Sequence, residues 1–124
     1  MNEIIVENAL IKSTMLGTED HGIMSFWLNL EYNGGGQQAG GYCLDTMEHD
    51  AKGVFKRRIG WGPGLGIIMR ILEVVGVSKW EDLPGKYIRV KHDWDKVYEI
   101  GNITKDEWLN FVEFFRKEKE GAYV

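Results

Sequence analysis

Arg57 and Arg58 stand shortly ahead of Trp61, which puts two guanidinium forks and an indole in one short stretch. Such forks grip phosphate or carboxylate oxygens in a fixed plane, and an indole face stacks on a planar base. The chemistry on offer is the capture of a small anion that carries an aromatic ring. The competing reading is a solvated basic loop end beside a core tryptophan. Gln37 and Gln38 follow three glycines, where the backbone allows close approach, and their amides suit a base or ribose edge unless they simply face water. Arg70 lies on an otherwise apolar stretch and needs a partner, either a carboxylate such as Glu73 or a ligand. Arg116 sits toward the end of a C-terminal helical pattern, where the helix dipole alone is reason enough for a cation.

Catalytic chemistry is poorly provided for. His21, His49 and His92 lack metal-ligand spacing, and Cys43 is the only cysteine. The pairs His92-Asp93 and His49-Asp50 are adjacent in sequence, so on a strand they point to opposite faces and make a poor acid–base dyad. No nucleophile-elbow, zinc-protease or calcium-loop pattern is present, so no catalytic set, metal or cofactor is expected. Gly62-Pro63-Gly64-Leu65-Gly66 leads into a helix and either presents backbone N–H groups to a phosphate or packs that helix tightly against a sheet. It has neither the Lys-Ser/Thr of a P-loop nor the glycine spacing of a dinucleotide fold.

The elements that must position these groups read as α+β: a small antiparallel sheet of hairpins packed on a central buried helix, plus a C-terminal helix. Residues Ile4 to Met15 form a strand, whole or broken near Glu7 and Asn8. The clearest strand is Met24 to Tyr32, whose residues alternate apolar and polar. Asn33-Gly34-Gly35-Gly36 turns it back into a partner from Gln37 to Leu44. Asp45 to Lys56 is polar and unpatterned and reads as an exposed loop. The helix from Ile67 to Val75 has Pro63 ahead of it and Gly76 to end it, and apolar residues on nearly every face. Tyr87–His92 and Val97–Ile100 form a second hairpin. Thr104 with Glu107 makes a capping box, which predicts a last helix from Lys105 to about Glu118.

The 124 residues suit one ligand-binding domain, 1–124, and the composition is that of a globular chain, 44% hydrophobic and 27% charged. A net charge of −4 argues against long-range attraction to nucleic acid or acidic membranes, so any anion site is local. The longest apolar run is too short to span a bilayer, and the N-terminus has neither the basic region nor the cleavage site of a secretory leader. A reducing cytoplasm is expected.

Several segments carry a resemblance: Ser25–Tyr32, Gly34-Gly35-Gly36-Gln37, Gly40-Gly41-Tyr42, Arg70–Val77, Trp80–Tyr87 and Ile100-Gly101-Asn102. Their order from about Ile11 to Phe115 resembles the first-described class of Thoeris anti-defence proteins of phages and prophages. The resemblance implies a sponge that holds cyclic ADP-ribose isomers intact in pockets at a dimer interface. It also implies assembly into hexamers, with separate sites for cyclic di- or trinucleotides of CBASS defence. The candidate ligand-binding residues are Gln37, Arg57, Arg58, Trp61, Arg70, His92, Trp94, Asn110 and Arg116. Arginines would neutralise phosphates, Trp61 or Trp94 would stack on adenine, and Gln37 or Asn110 would read polar edges. The alternative is an OB-like single-strand nucleic-acid binder working through Lys86, Arg89 and Lys91.

Overall fold

The computed structural model describes residues 3–121. Met1 and Asn2, which open the segment read above for a leader, and residues 122–124 lie outside it. The fold is α+β. Six antiparallel strands form one sheet in the order β3-β2-β1-β6-β7-β8: β1 Ile5–Asp20, β2 Ile23–Tyr32, β3 Gly35–Cys43, β6 Tyr87–His92, β7 Val97–Gly101 and β8 Trp108–Asn110. A second, two-stranded sheet pairs β4 Asp45–His49 with β5 Phe55–Gly60, and two helices complete the chain, α1 Gly62–Val75 and α2 Phe111–Gly121.

The strand expected from Ile4 to Met15 is unbroken at Glu7 and Asn8 and runs on to Asp20. Its apolar residues look like two clusters because the strand serves two partners. Ile5 to Leu10 pair with β6, and Leu10 to Asp20 pair with β2. Leu10 alone is in register on both sides, with Glu31 and with Tyr87, and the pairing shifts between Ile11 and Ser13 just beyond it. A bulge of this kind bends and twists a strand. The inward residues Ala9, Ile11, Phe26, Leu28, Leu30, Ile88, Val90 and Ile100 meet over the core, which Ile67, Ile71 and Val74 of α1 and Phe111 of α2 close.

Helix α1 begins with Pro63 in its first turn and ends at Gly76, whose φ of 91° lets its N–H reach the Leu72 carbonyl at 2.8 Å. It is buried on one face only. Leu65 and Met69 are 65% and 55% exposed, so its apolar residues extend past the buried face into one outward strip. Gly64 settles the glycine question at this helix start, because a Cβ there would lie 1.8 Å from the Leu44 carbonyl oxygen. The glycine allows the helix to press onto the end of β3.

Two further expectations are overturned. The polar stretch from Asp45 to Lys56 is mainly hairpin. Asp50 Oδ1 accepts the N–H groups of Lys52 and Val54 to form its turn, and Glu48 pairs across the strands with Lys56 and Arg57. Cross-strand charge pairs hold this ribbon, so it has no apolar alternation to read. The C-terminal helix starts at Phe111, not Lys105. Asn102 takes the turn from the Thr104–Glu107 box, with its Oδ1 accepting the N–H groups of Thr104 and Lys105 and its own N–H donating to the Glu107 carbonyl. Trp108 is held in β8 with Arg89 and Lys91 4.7 and 4.3 Å from its ring centre, and it lies so close over Gly101 that a Cβ there would come within 2.6 Å of the indole.

Gly64→Ala is expected to lower stability by more than the roughly 1–3 kcal/mol typical of overpacking, because the obstructing atom is backbone. Gly62→Ala, where an added Cβ meets nothing within 4 Å, should be neutral or slightly stabilising. Urea denaturation of the two variants checks the contrast.

Candidate functional site

An open groove of about 630 Å³ lies between the end of β3, the first residues of β4, the start of α1 and the outer face of α2. Its aromatic wall is made by Tyr42, Trp61 and Phe115. Trp61 lies parallel to Phe115, with ring centres 5.8 Å apart and an interplanar angle of 6°, and Tyr42 leans on Phe115 at 5.6 Å. The opening of α1 fixes Trp61, since Trp61 is the N-cap and its carbonyl accepts the N–H of Gly64. Phe115 sits one turn along α2 from Phe111, whose ring is fully buried.

The polar groups come from two elements. Helix α2 brings Arg116 and Lys119. The Arg116 guanidinium is held by Glu113 one turn before it and by Glu120 one turn after it, so its position is fixed and its charge partly spent. Among the described residues Lys119 meets no carboxylate and is the lining cation left unspent. Opposite them, Asp45 and Thr46 of β4 form the other side. Arg58 grips the Asp45 carboxylate with both arms of its fork, at 2.8 and 2.7 Å, and reaches the Cys43 sulfur at 3.4 Å. Asp45 also accepts the Met24 N–H at 3.2 Å, which ties the small sheet to the large one. The Arg58 hydrogen bonds hold the Asp45 carboxyl well below the usual carboxylate range.

The nine expected site residues are thus divided. Trp61 and Arg116 line the groove, and Arg58 stands behind its Asp45 edge. Arg57 is spent on Glu48 across the hairpin, and Arg70 on Glu73 at 3.0 Å, the carboxylate partner anticipated for it. Asn110 caps α2 through its Oδ1 and the Glu113 N–H at 2.9 Å.

Gln37, His92 and Trp94 form a second cluster outside the groove lining. His92 is buried, its Nε2 lies 2.5 Å from Glu7, and its ring is stacked on Tyr32 at 4.4 Å. The Tyr32 hydroxyl donates to Gln37 Oε1 and so turns the Gln37 amide toward the carbonyls of Asp93 and Trp94. Asp93 accepts the N–H groups of Asp95 and Lys96 and the hydroxyl of Tyr98, which locks the β6–β7 turn and leaves the Trp94 indole 88% exposed at its tip. Sequence reasoning missed Tyr42, Asp45, Phe115 and Lys119. Phe115 was legible on the apolar stripe of the last helix, but only the packing of α2 beside β3 and α1 shows that this stripe faces a groove.

Two titrations follow from this geometry. Because Asp45 is stabilised in its charged form, it contributes stability above the ordinary carboxylate pKa, and that contribution fades as pH falls through and below that range. Melting temperatures of the wild type and Asp45→Asn should therefore differ most near neutrality and converge in acid. Tyr98 is pushed up to about 12 by its hydrogen bond to Asp93. Burial also raises the Tyr32 and Tyr42 phenols, so ultraviolet titration should show several late phenols, one of which returns toward pH 10 in Asp93→Asn.

Among the described residues no group of three or more His, Cys, Asp or Glu side chains is placed to hold a metal ion, and no helix is long and apolar enough to cross a membrane. No family model, curated protein or solved structure matches the chain.

Proposed function

We propose that the protein is a binding protein that captures a small anionic nucleotide in the Trp61 groove and holds it without cleaving it. The ligand class put forward is the cyclic ADP-ribose isomers made by Thoeris TIR enzymes, so that the protein starves a defence effector of its signal. One observation carries the reading: a parallel indole–phenyl wall and two cations of α2 share one open groove of nucleotide size. The wall offers a stacking surface for adenine, and Arg116 and Lys119 offer donors for a pyrophosphate. The sequence resemblance supplies the identity of the nucleotide, and assembly as a dimer or hexamer in the cytoplasm of the host belongs to the same proposal.

The single-strand nucleic-acid reading has weaker support. Of its cations, Arg89 donates to the carbonyls of Asn102 and Lys105 and Lys91 pairs with Glu99, and both already lie over Trp108.

Calorimetry with cyclic ADP-ribose isomers, followed by heat release and mass spectrometry of the ligand, tests the proposal. Tight binding with intact ligand recovered is the expected result, and turnover or absence of binding would refute it. Trp61→Ala should weaken binding by roughly 1–3 kcal/mol, about 5- to 150-fold, the loss typical of one base–aromatic stack. Circular dichroism of the variant checks that its fold is retained.

A further inference from the structure

Tyr42 differs from the other groove aromatics in carrying a hydroxyl on a ring that the core already fixes. The ring is stacked on Phe111 at 5.4 Å and on Phe26 at 6.3 Å, and leans on Phe115 at 5.6 Å. Three aromatic neighbours leave it little freedom to turn. Its hydroxyl finds no hydrogen-bond partner among the described residues, yet Ser25 Oγ is the one side-chain atom among them that is both buried and unpartnered. The Tyr42 oxygen therefore meets solvent, and Tyr42 lines the groove. A phenol is protonated at neutral pH, so the hydroxyl has a hydrogen to donate. A preformed donor of this kind costs little to order when a ligand arrives.

We propose that the Tyr42 hydroxyl is the specificity-determining donor of the groove, giving its hydrogen bond to a ring-nitrogen acceptor of a purine stacked on the Trp61–Phe115 wall. This rests on the nucleotide reading above. The aromatic contacts select the base as acceptor: Tyr42 adjoins Phe115, and Phe115 adjoins Trp61, so the Tyr42 ring is continuous with the wall on which a base would stack. A base with C–H at the matching position would leave the phenol unpaired against the ligand, and such mismatches reject analogues.

The test is a cycle of two proteins and three ligands by calorimetry: the wild type and Tyr42→Phe, each with cyclic ADP-ribose and its 7-deaza and 3-deaza analogues. The Phe variant keeps the ring and its stacking, and an unchanged melting temperature documents that. The wild type should lose about tenfold in affinity for one of the two analogues, the worth of one hydrogen bond in a groove open to water. Tyr42→Phe should bind the parent about tenfold more weakly and treat that analogue like the parent. If the wild type binds and the variant binds equally well, or if the variant still discriminates as the wild type does, the hydroxyl's role is overturned while the nucleotide reading stands. If the wild type binds none of the three, both fall together.

Discussion

The structure depends on one strand being longer than either of its partners. β1 gives its first half to β6 and its second to β2, and the two pairings overlap at Leu10. The bulge beyond Leu10 lets the sheet bend there, so the two halves enclose a core instead of extending as a flat layer. The bend brings β2 and β3 over the core, sets the Leu44 carbonyl against Gly64, and so fixes where α1 begins and where Trp61 stands. Phe111 fills the remaining gap, and one turn on α2 brings Phe115 against Trp61 and Arg116 to the groove.

The groove is therefore assembled from parts with different kinds of support. Its aromatic wall is continuous with the core through Tyr42, Phe26 and Phe111. Its charged edge hangs on polar contacts: the Arg58 fork on Asp45, and the two glutamates about Arg116. Core packing is dense and resists displacement, whereas ion pairs at a surface are worth little each and respond to salt. A planar ring would meet a rigid surface and a phosphate a compliant one. Most of the basic residues singled out from the sequence are engaged with neighbouring carboxylates, and this leaves Lys119 as the groove's main source of unspent charge.

Much of the architecture was legible in the residues. The alternation in Met24–Tyr32, the glycines after Asn33 and the run closed by Gly76 specify two strands, a turn and a helix by local rules, and the structure has them. The failures share a physical cause. The β4–β5 ribbon has no apolar face, since Glu48, Lys56 and Arg57 hold it through charge, and periodicity cannot see such pairing. The capping box at Thr104 was outcompeted by Asn102 and by Trp108 lying flat over Gly101, contacts made across the fold. Site residues fared by the same rule. The local pair Arg70–Glu73 was foreseeable, while the gathering of Tyr42, Asp45, Trp61 and Phe115 requires four separate elements to be in place.

The small β4–β5 sheet has one more effect. A two-stranded ribbon by itself is marginal in water, and this one is moored to the larger sheet at its base, through Leu44, Met24 and Asp45. Opening of the ribbon alone would remove Asp45 and Thr46 from one side of the groove. A molecule bridging that side to α2 would have to wait for such an opening in order to leave. Its residence time would then be set by the local unfolding of the ribbon, and occupancy would in turn slow amide exchange along β4 and β5.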